Sequence, residues 1–319
     1  MVIRRRDITV RAWWMVLGPA CVNVSLASVA LTLTGINRYP IKSCRGHAVA
    51  RAVVEPWGLA GDRRWMLVND EGLVLTAREY PQLVLVTPVL ITPVLITPGL
   101  DVDGLLVQAP DAEPLLVPTP DGSALINVRV FSSELAAAPA SDEAHAWFSK
   151  VVGEPVRLVY LDDPTRRRPN PRYSREEDRV SFADGYPLLL ATEESLAALN
   201  DRIAEGPFAQ EGPVPMRRFR PNLVVAGAPA WAEDGWRVVR IGAVRFRAVK
   251  ACDRCVFTTI DPDTARKGKE PLTTLARCRR WDGKVWFAIN LIPDSPGAAL
   301  RLGDQIEIVE QVRTGEPLR

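Results

Sequence analysis

From Leu31 to about Asn127 the apolar positions come in short β-branched or aromatic runs separated by turn formers. Val49–Val54 and Trp65–Val68 are two such runs, and Gly58, Gly61, the segment Asn69-Asp70-Glu71-Gly72 and Pro81 punctuate them. This pattern predicts short strands. Val86-Thr87-Pro88-Val89-Leu90 recurs from Ile91 and begins again at Ile96. A proline every fifth residue excludes a central strand, so the repeat reads as a hairpin edge or loop. Pro110–Gly122 is proline-rich and reads as a linker or long loop. Further on the period changes. Ser141 is placed to cap a helix that has Asp142 and Glu143 in its first turn. Ala144, Trp147, Phe148 and Val151 share one face, and Gly153 is the stop. A second helix is predicted from Thr192, with Leu196, Leu199 and Ile203 facing inward. From Phe219 onward strands return: Leu223–Ala226 is a buried run, Val244, Phe246 and Ala248 alternate with arginines, and Ile306 and Ile308 alternate near the end. The fold class expected is α+β, predominantly β, with a few helices. No Gly-rich strand-to-helix turn fits a dinucleotide or phosphate-loop fingerprint.

The first 30 residues differ from the rest. Arg4-Arg5-Arg6 and Arg11 precede a 26-residue uncharged stretch, Ala12–Asn37. It reads as an extension from an early start codon, a signal, or a membrane anchor. The 319-residue chain is otherwise ordinary for a globular protein: 47% hydrophobic, 24% charged and net +2. Its balance gives no reason to expect nucleic acid as a partner. Five cysteines, an odd and sparse set, argue against a disulfide scaffold and for a reducing compartment. With only His47 and His145, a His-rich metal site is excluded.

Chemistry concentrates in three places. Cys252-Asp253-Arg254-Cys255 lies between a strand ending near Lys250 and Val256–Ile260, which also reads as strand. A redox pair would need a helix after the motif, and a zinc site would need a second ligand pair. Two further readings stand beside these: buried structural thiols, which fit less well among Asp253, Arg254, Lys250 and Asp261, or a single thiolate, kept ionised by nearby Arg and Lys, that ligates a soft metal. Arg220-Pro221-Asn222 opens a buried strand just after Arg217-Arg218. Lys42-Ser43 follows the first strand, with Asp62-Arg63-Arg64 downstream. With the cluster Arg166–Arg172, these segments would suit a phosphate-bearing ligand.

Tyr39-Pro-Ile-Lys-Ser-Cys, Gly58-Leu-Ala-Gly-Asp-Arg-Arg-Trp, Thr76-Ala-Arg, Phe219-Arg-Pro-Asn and Cys252-Asp-Arg-Cys-Val-Phe-Thr-Thr-Ile-Asp-Pro-Asp-Thr occur in this order. So do Lys269-Glu-Pro-Leu and Leu302-Gly-Asp-Gln-Ile. From about Leu31 to Glu310 the chain resembles the MOSC family with its N-terminal β-barrel domain, which includes the mitochondrial amidoxime-reducing components and their bacterial homologues. The resemblance implies a barrel-like domain over 31–127, a MOSC domain over 140–311, and residues 1–30 as an appendage. It implies a molybdenum cofactor, a pterin dithiolene ending in a phosphate, with Cys255 as the metal ligand. Cofactor contacts would fall on Lys42, Ser43, Arg63, Arg220, Asn222, Asp253 and Arg254, and Asp261 would serve proton delivery. A pyridoxal phosphate label also accompanies the family in general. Two departures stand out: Gly185-Tyr186 replaces a Thr-Ser pair of the relatives, and Asp253 replaces a serine.

The activity implied is reduction of N-hydroxylated compounds, hydroxylamines and amidoximes, by a molybdenum oxidoreductase. Its partners would be a small-molecule substrate and a separate electron donor of ferredoxin, flavoprotein or cytochrome type. The alternative is a cofactor or sulfur carrier without turnover, and a degenerate domain without cofactor is a third reading. A cytoplasmic location is expected, or a membrane-anchored one through residues 12–30.

Overall fold

The computed structural model describes residues 30–91 and 103–312. The N-terminal extension and residues 92–102, which hold most of the later copies of the proline repeat, lie outside the described residues. Among the described residues no helix is long and apolar enough to cross a membrane.

The largest sheet has nine strands. Eight run in the order Ile306–Gln311, Trp236–Ile241, Val244–Asp253, Lys284–Pro293, Leu188–Thr192, Leu223–Ala226, Thr32–Arg38 and His47–Ala48, and Arg280–Trp281 pairs beside Lys284–Pro293. Leu188–Thr192 and Leu223–Ala226 are its parallel pair. A parallel pair needs a crossover, and the helix Glu193–Ala204 lies in the connection. Three smaller sheets complete the β-structure. One joins Trp65–Val68, Arg157–Tyr160, Ser133–Pro139 and Ile126–Val130; another joins Ala299–Arg301, Arg51–Glu55 and Gly58–Leu59; the third is the meander Thr87–Ile91, Gly104–Ala109 and Ala112–Pro118.

The predominantly β expectation stands, but the sheets do not divide where the sequence does. The strand Thr32–Arg38, expected to open an N-terminal domain, pairs with Leu223–Ala226 of the large sheet. Ala299–Arg301, near the C-terminal end, pairs back onto Arg51–Glu55. The cause is apolar burial: Leu33 and Ile36 pack in one core with Leu223, Val225, Phe246 and Leu291. A second core gathers Trp65, Leu67, Leu105, Val107 and Phe148.

Helix α1 spans Asp142–Val152. Ser141 caps it by accepting from the Ala144 amide, and Gly153 ends it with φ +92°. Helix α2 spans Glu193–Ala204 and is capped by Thr192. Helix α3 spans Leu272–Cys278. Two local expectations are corrected. Ala112–Pro118, inside the expected linker, is an edge strand of the meander, where proline costs no ladder bond to a further strand. Val256–Thr259 is a 3-10 helix rather than a strand, because Thr258 and Thr259 turn their hydroxyls onto the carbonyls of Cys255 and Val256. The first copy of the proline repeat does form an edge strand, Thr87–Ile91.

Candidate functional site

A cavity of about 690 Å³ opens where the two halves of the chain meet. Lys42, Ser43, Arg63, Thr76 and Arg78 border it from one side, and Arg220, Asn222 and the segment Cys252–Cys255 from the other. Eight of the nine expected residues line it, Asp261 being the exception. Three of them hold left-handed backbone: Ser43 at φ +69°, Arg63 at +48° and Arg220 at +55°. Non-glycine residues adopt this conformation at a cost, and such residues cluster at functional sites.

Tyr39 organises the floor. It is buried, and Arg63 and Arg220 lie against its ring at 4.4 and 4.2 Å. Its hydroxyl donates to the Pro221 carbonyl at 3.1 Å. Burial pushes its pKa up to about 12, so it stays a neutral donor. Arg63 pairs with the buried Asp62 and donates to Asn222 Oδ1 at 3.0 Å and to the Arg220 carbonyl at 3.2 Å. Asn222 also accepts from the Leu189 amide and donates to the Asn37 carbonyl. Its side chain therefore holds Arg63 and the strands in place at the cavity wall.

Lys42 is buried; its ammonium donates to the Phe182 carbonyl at 2.9 Å and pairs with Asp184. Burial lowers its pKa to about 8, against the opposing pull of Asp184. Asp184 faces the cavity. Burial pushes its carboxyl up, but Lys42, Arg78 and Arg63 together hold it well below the usual range. Arg220 loses its proton more readily than an ordinary arginine, with a pKa near 10, through burial and repulsion by Arg63. Its Nη1 donates to the Cys44 carbonyl, while Nη2 is buried without a partner. Arg254 donates to Cys252 Sγ at 2.9 Å and to the Phe219 carbonyl at 2.8 Å, and its Nε is likewise buried and unpartnered.

Cys255 sits half-buried at the start of the 3-10 helix. Arg78, delivered from the other half of the chain, interacts electrostatically with Cys255, while the neighbouring Arg254 donates to Cys252 Sγ. Burial alone would lower the Arg78 pKa; Cys255 and Asp184 more than offset it. Asp253 lines the cavity, yet its carboxylate is held by Lys250 at 3.3 Å and Lys284 at 3.0 Å, which neutralise the added charge. Asp261 corrects an expectation. One of its oxygens accepts from the amides of Asp263 and Thr264 and from the Thr264 hydroxyl, and the other pairs with Arg218 at 3.1 Å. It holds the turn after Cys252–Cys255 and does not line the cavity. The arginine cluster also divides. Arg166 pairs with Asp162, and the buried Arg167 donates to the carbonyls of Ser181, Ala183 and Asp184. Arg168 reaches the cavity wall.

Among the cavity residues that were not sequence candidates, Arg78, Asp184 and Phe131 bear on the chemistry. Arg78 stood in a quoted motif, so its signal was present. Asp184 and Phe131 carried no local signal, because only the fold brings them to Lys42.

The donor set can be weighed against a phosphate-bearing metal dithiolene. Several cations face one cavity, the buried Arg167 Nε, Arg220 Nη2 and Arg254 Nε have no partner among the described residues, and a soft thiol lies at the same wall. These are the groups such a ligand needs. Gly185 brings no side chain, and nothing lies within 4 Å of where its Cβ would stand, while Tyr186 lines the cavity with a phenol in place of the serine.

The class defined by this fold and cavity is found in known sequences. Residues 30–155 match the MOSC N-terminal β-barrel domain, and residues 177–307 match the MOSC domain. The chain belongs to the MOSC family. It is 34% identical over 292 residues to mitochondrial amidoxime-reducing component 1 of Homo sapiens, covering 86% of this chain and 81% of that one. It is 32% identical to mitochondrial amidoxime reducing component 2 of Homo sapiens, covering 88% and 80%. The molybdenum cofactor sulfurase of Oryza sativa subsp. japonica is 32% identical over 81% of this chain but only 32% of its own length.

Proposed function

We propose that this chain binds a molybdenum cofactor and reduces N-hydroxylated compounds with electrons from a separate donor protein. The observation that carries the reading is the cavity itself: Cys255 shares its wall with Arg220 and Arg254, whose buried Nη2 and Nε have no partner among the described residues. Lys42, Arg63, Arg220 and Arg254 would hold the anionic groups of the cofactor, and Cys255 its metal. When bound, the cofactor supplies the two-electron chemistry. The net reaction takes up two electrons and two protons, cleaves the N–O bond and releases water. The protein's part is positioning. Tyr39 and Asn222 fix the two arginines, Arg78 sets the charge beside the Cys255 sulfur, and the Lys250–Asp253–Lys284 group leaves no bare carboxylate near the metal.

The similarity to a protein named molybdenum cofactor sulfurase favours a second reading, a carrier of cofactor or sulfur on Cys255 without turnover. Fold alone does not choose between them. The test is elemental analysis of wild type and Cys255→Ala from a host that makes the cofactor, followed by benzamidoxime reduction with an artificial reductant. Near one molybdenum per chain, reduced or labile in the variant, with turnover, supports the reductase. Metal without reduction of any N-hydroxylated compound favours the carrier. No molybdenum in either protein, from a host that loads a known molybdenum enzyme, overturns the reductase and the cofactor carrier and leaves only the sulfur carrier.

A further inference from the structure

The strands Ile126–Val130 and Ser133–Pro139 pair with Val130 opposite Ser133, so Phe131 and Ser132 form a two-residue hairpin loop. Phe131 has φ +55°. Tight hairpin loops that need positive φ favour glycine, asparagine or aspartate, and a bulky side chain there is strained. The ring is also 41% exposed and belongs to none of the four apolar cores. Neither backbone preference nor burial explains a phenylalanine at this position. Its location does. The ring borders the cavity, with the Lys42 ammonium at 4.9 Å and the Arg78 guanidinium at 5.3 Å from its centroid. Arg78 in turn interacts electrostatically with Cys255. An aromatic ring thus borders the cavity, beside Lys42 and Arg78, on a two-residue hairpin loop.

We propose that Phe131 is a specificity-determining residue: a wall against which the planar, apolar part of a substrate stacks, so that aryl amidoximes and arylhydroxylamines are selected over small aliphatic ones. The choice of substrates rests on the reductase reading above. A stacked aryl pair gains area and offset-ring attraction that a compound without a ring cannot. The backbone strain at Phe131 is the cost of presenting the ring from a two-residue loop, a pattern of strained residues at ligand sites.

Phe131→Gly removes the ring and gives the loop the residue its backbone favours. In the cofactor-loaded protein we expect its melting temperature at or above that of wild type. The KM for benzamidoxime should rise about three- to tenfold, with the KM for hydroxylamine and the molybdenum content unchanged. Phe131→Tyr should restore the benzamidoxime KM. Equal changes for the two substrates, no change for either, or a lowered melting temperature would overturn the proposal. If wild type reduces neither substrate, the reductase reading fails, and benzamidoxime binding is measured by calorimetry without reductant. Weaker binding to Phe131→Gly then supports the wall; equal or undetectable binding to both proteins overturns it.

Discussion

At the scale of single residues, burial sets the chemistry. Lys42 is charged at neutral pH but, with its pKa near 8, loses its proton in mildly alkaline solution. Anion binding to the cofactor-free protein should therefore weaken between pH 7 and 9. Calorimetric titration with inorganic pyrophosphate would follow this, and Lys42→Gln should bind more weakly at pH 7 and flatten the profile. Glu233 shows the opposite case. It is buried, accepts from Ser195 at 2.9 Å and Thr192 at 3.2 Å, and has one oxygen without a partner. Burial raises its pKa to about 7 from an ordinary 4.5. Between those values the folded state binds more protons than the unfolded state. Its contribution to stability is full below pH 4.5 and is lost as pH rises through 7. Glu233→Gln should thus gain on the order of 1–3 kcal/mol relative to wild type at pH 8, with the gain shrinking toward pH 5 in denaturant melts. The cavity residues named from sequence motifs, Lys42 and Arg220 among them, were legible because each stands in a local pattern. Asp261 misled because nearness in sequence to Cys255 does not place a carboxylate in a cavity.

At the scale of elements, end chemistry was the most readable part. Ser141 and Gly153 bound α1 as its capping pattern requires. Ser141→Ala should cost about 1 kcal/mol through loss of the bond to the Ala144 amide, a loss measurable by urea unfolding. The misread elements share a cause. Val256–Ile260 has strand-forming residues, yet local threonine-to-carbonyl bonds win over propensity. Ala112–Pro118 carries prolines, yet an edge position tolerates them. The first strand, Thr32–Arg38, was recognisable as a strand, but its partner was not, because alternation reports a buried face and says nothing of which sheet supplies it.

At the scale of the molecule, the two family-defined segments are not independent bodies. Each completes a sheet of the other, through Thr32–Arg38 against Leu223–Ala226 and Ala299–Arg301 against Arg51–Glu55. Calorimetry of the intact chain should show one cooperative transition, and a chain cut between residues 155 and 177 without reassociation should not yield two folded halves. The same pairing has a consequence for synthesis on the ribosome. Thr34 meets Val224 across 190 residues of sequence, and at roughly 5–20 residues per second that interval takes about 10–40 s to emerge. For that time the apolar residues Leu33 and Ile36 have no sheet to enter, and are open to chaperones or to aggregation. Lys42 and Ser43, carried just behind that strand, wait equally long for Arg220 and Cys255. On the proposed function, cofactor insertion therefore belongs after translation, as one of the last events in making the protein.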